Sequence, residues 1–174
     1  MTRRRRPAHY PTIEMGDRPV IVLLTVCVDG RRRILANRSA VDTIVTAWRT
    51  ADAWAVGRYV VMPDHVHLFC APRQDVSLHR WVHYWKSLTS RYWPTADARP
   101  LWQRDHWDTQ LRSLESYEEK WAYVCGNPVR HGLVATTADW PYAGEMTRLE
   151  WGNETADHRC RTQAARERGP PTFR

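Results

Sequence analysis

Two histidines separated by one apolar residue, His65-Val66-His67 within the run Met62–Cys70, are the first residues in this 174-residue chain that could do chemistry. Side chains in an extended strand alternate between faces, so residues two apart point the same way. The two imidazoles then converge on one side while Val66 enters the other, with Leu68 and the preceding Tyr59-Val60-Val61 anchoring the segment in a core. Such a pair can hold two neighbouring positions on a divalent ion. Taken alone it reads equally as two ordinary histidines at the start of a strand. The rest of the chain must supply a third ligand and a nucleophile.

Tyr123 and Asn127 offer both. They stand four residues apart and share one face of a predicted helix. Asn127 precedes Pro128, which disfavours the helical region and places it at a helix end with its carboxamide oxygen free to ligate. Two imidazoles and one amide oxygen would leave positions on Mg²⁺ or Mn²⁺ open for phosphate oxygens and water. Tyr123 would aim its hydroxyl at that phosphate, a weak nucleophile that needs a polarised target and in-line geometry. The plainer reading makes Tyr123 a core aromatic and Asn127 a helix cap.

Other His-x-His chemistries fail on spacing. A histidine-triad hydrolase needs a third alternating histidine, and a two-histidine phosphoesterase needs a threonine two places after a histidine; Phe69 stands against both. A cupin needs a glutamate shortly after the pair, where Ala71 and Pro72 stand. A zinc hydrolase lacks a nearby third His or Cys ligand.

Charge points toward a polyanionic partner. The formal net charge is +7, and of 26 basic residues only Lys86 and Lys120 are lysine. Codon bias in a GC-rich genome would account for part of the preference for arginine over lysine but not for the net charge. Ten tryptophans and seven tyrosines against two phenylalanines supply flat faces on which unpaired bases can stack, though most sit at core spacing. Four scattered cysteines (Cys27, Cys70, Cys125, Cys160) form no Cys-x-x-Cys pair, so neither a zinc ribbon nor a disulfide framework is expected. The longest apolar run, Val20–Val28, is too short to span a bilayer, and no signal-peptide core is present. A soluble, cytoplasmic protein is expected.

The elements that must position these groups follow from pattern. Residues 1–19, with Arg3, Arg4, Arg5 and Arg6 and three prolines, read as a basic arm. Val20–Val28 reads as a buried strand and Asp29-Gly30 as a turn. Val41, Ile44, Val45 and Trp48 predict a helix capped by Ser39 and ending near Asp52. Trp54–Met62 and His65–Ala71 predict a hairpin around Pro63-Asp64. A second helix runs from about Val76 to Trp93, burying Leu78, Trp81, Trp85, Leu88 and Tyr92. Its other face carries His79, Arg80, His83, Lys86, Ser87 and Arg91, a solvated face or one lying along a phosphate backbone. Leu101–Leu111, with Arg104, reads as a strand or hairpin. Glu115–Gly126 is a third helix, acidic at its start and closed by Asn127-Pro128. Residues 151–174 are a polar, Arg-rich tail. Residues 20–150 then form one domain of α+β, ferredoxin-like class, an antiparallel β-sheet with helices packed on one face.

Taken jointly, Met62-Pro-Asp-His-Val-His-Leu68, Leu101-Trp-Gln with Trp107-Asp108, Tyr123-x-x-x-Asn127-Pro-Val-Arg-His-Gly-Leu-Val134 and Asp139-Trp-Pro-Tyr142 resemble the single-tyrosine HUH transposases. Within that family the resemblance is to the REP-associated tyrosine transposases, relatives of the small insertion-sequence transposases, and runs from about Val20 to Tyr142. It implies a divalent metal, Mg²⁺ or Mn²⁺, held by His65, His67 and Asn127, with Tyr123 as nucleophile. Insertion-sequence relatives often carry glutamine where this chain has Asn127. The implied substrate is single-stranded DNA at hairpin-forming or palindromic repeats. Cleavage would leave a 5′-phosphotyrosine and a 3′-OH, and rejoining would need no nucleotide cofactor. A two-tyrosine pattern is absent, since Tyr117 is six residues from Tyr123 and faces elsewhere. One tyrosine per chain means a homodimer or repeated use of one monomer's site. Arg3–Arg6, His83, Lys86, Arg91, Arg104 and Arg130 are the expected DNA contacts. The rival reading is a non-catalytic, domesticated hairpin-binding protein, and RNA stays open as the polyanion.

Overall fold

The β-branched run near the N-terminus forms β1, Val22–Cys27, slightly shorter than its sequence pattern. After it come α1 (Arg38–Thr50), β2 (Trp54–Val61), β3 (His65–Pro72), α2 (Leu78–Arg91) and β4 (Trp107–Gln110). The chain continues through α3 (Leu114–Cys125), α4 (Asn127–Arg130) and β5 (Ala143–Glu145). The computed structural model describes residues 20–95 and 101–150. The arm with Arg3, Arg4, Arg5 and Arg6 and the tail after Trp151 lie outside the described residues. All strand pairings are antiparallel, in the order β4-β1-β3-β2-β5. The first four strands with α1 and α2 reproduce the ferredoxin-like plan.

Helices occupy both faces of this sheet, correcting the expectation of one. Val22, Leu24 and Val26 of β1 and Val66, Leu68 and Cys70 of β3 join Ile44 and Trp48 of α1 and Trp81, Val82 and Trp85 of α2 in the main core. Trp48, Trp85 and Trp102 interlock there edge to face, with ring centroids 5.9 and 5.4 Å apart. Such pairs add about 0.5–1.5 kcal/mol beyond the area they bury. On the opposite face α3 sits over the alternate residues of the same strands. Tyr117 packs with Ile21, Phe69 and Leu111, and Val124 packs with Val60 and Met62.

The structure departs from the local sequence signals at four places. The cap of α1 is Asn37, whose Oδ1 accepts from the Ala40 N–H at 2.9 Å, so Ser39 lies inside the helix. Tyr92, expected in the buried stripe, is 66% exposed because α2 ends at Arg91. Lys86 is buried instead: its ammonium donates to the Gln103 and Arg104 carbonyls, at 2.5 and 2.9 Å. α3 ends at Cys125, ahead of Asn127-Pro128 as expected, but the chain does not leave the helical region there. A proline in a helix's first turn lacks only a donor that would have had no partner, so a further turn, α4, follows with the Arg130 N–H on the Gly126 carbonyl.

Candidate active site

The register of β3 against its neighbours builds the site. His67 lies opposite Thr25 of β1 and Val60 of β2, and His65 lies opposite Cys27. Both imidazoles therefore rise on the α3 face, beside Phe69. Their rings meet at 88°, centroids 4.7 Å apart, with the two Nε2 atoms 3.1 Å from each other.

Each ring is held from behind. His65 Nδ1–H donates to Asp64 Oδ1 at 2.6 Å, and His67 Nδ1 lies 2.8 Å from Thr25 Oγ1. Because the carboxylate can only accept, His65 Nε2 is bare and accepts from His67 Nε2–H, and the Thr25 hydroxyl donates to His67 Nδ1. Burial, reinforced by the neighbouring His65 and then by Arg31 and Arg130, drives the His67 pKa down to about 3. Burial is also the main cause lowering that of His65, partly offset by Asp64. Both rings are neutral near neutral pH, as ligands must be.

This donor set fits a divalent cation. A shared ion needs both Nε2 atoms bare, and Thr25 permits it, since its hydroxyl can accept from Nδ1–H as readily as it donates. Asp64 holds His65 in the carboxylate–histidine arrangement typical of metal sites. Among the described residues no group of three or more His, Cys, Asp or Glu side chains could hold a metal. Asn127 carries a neutral carboxamide oxygen, a donor type suited to Mg²⁺ or Mn²⁺.

The outer frame is strained. Arg31 follows Gly30 into the left-handed region at φ 57°, a conformation costing a non-glycine residue about 1–2 kcal/mol. From there its guanidinium reaches Asp64 Oδ2 at 2.8 Å and donates to Cys27 Sγ at 2.7 Å. Arg31 thus fixes the carboxylate that fixes His65.

The other half sits at the α3–α4 junction. Val124 packs on Val60 and Met62, so the junction overlies the strand beside the histidines. Tyr123 is 60% exposed there, whereas Tyr117 on the same helix is 4% exposed. Asn127 is buried, and its Oδ1 accepts from Arg130, which also donates to the Tyr123 carbonyl. The Arg130 guanidinium lies 4.2 Å from the centre of the Tyr123 ring. Gly126 makes this possible, since a Cβ there would come within 2.7 Å of Arg130 Nη1. His65 with His67, and Tyr123 with Asn127 and Arg130, are therefore two groups on one face, linked by the influence of Arg130's charge on His67.

The remaining expected contacts gather elsewhere. His83, Lys86, Arg91 and Arg104 line a groove of about 690 Å³ between α2 and the segment 101–104. Four contributors were not foreseen: Thr25, Asp64 and Arg31, and Trp107, which lies opposite Thr25 and is 45% exposed on the same face. A lone hydroxyl in the run Val20–Val28 was the available signal for Thr25.

Comparison with known proteins bears on the fold and the family. The chain is 24% identical to the REP-associated tyrosine transposase of Escherichia coli (strain K12) over 110 residues, covering 59% of this chain and 65% of that one. A Haemophilus influenzae protein described as a "Putative REP-associated tyrosine transposase" is 28% identical over 111 residues, covering 53% of this chain and 63% of its own. The chain thus spans just under two thirds of each relative. In fold it matches a REP-associated tyrosine transposase solved bound to a REP hairpin, with a TM-score of 0.62 at 20% identity, covering 88% of this chain and 98% of that one. No helix among the described residues is long and apolar enough to cross a membrane. The sequence model described as "Transposase IS200 like" matches residues 20–120, more than half of the chain, and the chain belongs to that transposase family.

Proposed function

We propose that this protein cleaves and rejoins single-stranded DNA at hairpin-forming repeats through a covalent Tyr123 intermediate. The observation that carries the reading is the pair of Nε2 atoms 3.1 Å apart, each ring tied at Nδ1, on the sheet face that also presents an exposed tyrosine. The hairpin-bound relative supports the choice of substrate. His65, His67 and Asn127 would hold Mg²⁺ or Mn²⁺. When bound, the ion would polarise the scissile phosphate and neutralise its charge.

The chain's own groups do the rest. The Tyr123 oxygen attacks phosphorus, its proton passing to solvent, and the bond from phosphorus to the 3′ oxygen breaks. That oxygen takes up a proton and leaves as a 3′-OH, while the 5′ phosphate stays on Tyr123. A second 3′-OH reverses the attack and joins the strands, conserving the phosphodiester energy. Arg130 holds the Tyr123 ring and main chain in place and brings positive charge beside the phosphate. For Asn127 to ligate, Arg130 must share or release the Oδ1 atom it now occupies.

The test is incubation with single-stranded hairpin DNA and Mn²⁺, followed by a denaturing gel. A covalent adduct is expected with the unaltered protein and none with Tyr123→Phe, whose hairpin affinity should persist. An adduct that survives in Tyr123→Phe refutes the nucleophile. Tight hairpin binding with no adduct from the unaltered protein would instead favour a purely binding, domesticated role.

A further inference from the structure

We infer that the groove between α2 and residues 101–104 is the track along which the single-stranded flank of the cleaved DNA leaves the active site. The inference rests on the cleavage reading for its direction but not for its chemistry. Three observations carry it.

The first is charge. Arg91 on α2 and Arg104 on the facing segment are both exposed, and His83 and Ser87 also line the groove. Lys86 lies beneath, but its ammonium is used on the Gln103 and Arg104 carbonyls and part of its charge is offset by Asp105. The two arginines thus supply the permanent positive charge, and Lys86 acts as the clamp that holds one wall against the other.

The second is the floor. Leu101 and Trp102 are buried apolar residues that line the groove, and the Trp102 indole N–H is fixed on Thr89 Oγ1 at 2.6 Å. Cationic walls over an apolar floor suit a strand whose bases are unpaired and can turn inward while its phosphates face the arginines. A duplex keeps its base faces stacked inside and meets such a surface chiefly through phosphate and sugar.

The third is continuity. The Gln103 N–H donates to the Cys27 carbonyl at 2.9 Å, and Cys27 is the strand partner of His65. The groove wall therefore begins two strand spacings, roughly 10 Å, from the histidine pair. A strand bound at the histidines reaches it by passing around the end of the sheet.

Binding of 5′-labelled oligothymidylates of about 4 and about 16 nucleotides, followed by anisotropy across a salt series, tests this. For the longer strand, the double variant Arg91→Ser, Arg104→Ser should bind at least tenfold more weakly. Its log-affinity against log-salt slope should also flatten by about 1.4, two phosphates at about 0.7 each. The short strand should bind both proteins alike, and Arg91→Lys, Arg104→Lys should restore the slope. Equal losses for both lengths, an unchanged slope, or a slope change seen only with duplex would overturn the groove. Adduct formation by the unaltered protein is scored in parallel: its absence sinks the cleavage reading and leaves the length-dependent slope to be judged by itself.

Discussion

β3 serves two faces of one sheet, and the two are built for opposite purposes. Toward α1 and α2 it sends Val66, Leu68 and Cys70, each fully buried in a core rich in tryptophan. Toward α3 it sends His65, His67 and Phe69; Phe69 is sealed under Tyr117, but the histidines are tied to the polar groups of Asp64 and Thr25. The closed face gains stability from matched apolar surfaces. The open face gives up part of that gain to keep two neutral imidazoles and an exposed tyrosine in fixed positions. Substitution on the α3 face beside the histidines is therefore expected to cost folding less than substitution on the closed face.

Truncation on each face breaks this contrast most sharply. Trp85→Ala removes a fully buried ring and should cost about 3–5 kcal/mol, lowering the melting temperature by roughly 10 °C. His67→Ala should lose far less stability in the same denaturation experiment while abolishing metal-dependent adduct formation. Comparable destabilisation by the two variants would show that the open face is also a folding core. Cleavage by His67→Ala that persists in chelator would remove the metal role.

A smaller effect is expected one layer back from the histidines. Asp64→Asn keeps shape but replaces an obligate acceptor with a group that can present its amide to His65 Nδ1, freeing the wrong tautomer. Loss of such a partner typically costs about 10–100-fold in metal affinity, measurable by Mn²⁺ titration calorimetry. Arg31→Ala should reproduce part of that loss through Asp64. If neither moves Mn²⁺ affinity, the frame around His65 only supports the loop.

How far the sequence disclosed this arrangement follows the same division. Periodicity located α1, α2 and the β2–β3 hairpin because their signals are local, and alternation alone put His65 and His67 on one face. The face taken by α3 was hidden, since Leu114 and Tyr123 are as hydrophobic as the Tyr117 and Val124 it buries. β5, three residues long, has too little pattern to read. Lys86 looked like a surface cation because the carbonyls that hold it come from 17 and 18 residues away. The family motifs named His65, His67, Tyr123 and Asn127. Arg31 was invisible because it acts through a positive-φ turn that no spacing rule encodes, while Thr25 showed a lone hydroxyl in an apolar run but not the register that sets it behind His67.

The mildest test uses the two tyrosines of α3. Burial, only partly countered by Arg58 over its ring, pushes the Tyr117 pKa up to about 12 from the usual 10. The folded state therefore keeps this proton where the unfolded chain has lost it. The resulting stabilisation is complete below pH 10 and is lost as pH rises from 10 toward 12, with a slope of at most about 1.4 kcal/mol per unit. Tyr117→Phe, which keeps the ring against Phe69 but removes the titrating group, should flatten that part of the stability–pH curve and still form the Tyr123 adduct. Tyr123→Phe should leave the curve's fall in place and remove the adduct. Were Tyr117→Phe to remove the adduct instead, the buried and exposed tyrosines would have exchanged roles, and the division between a sealed end and a working end of α3 would fail with them.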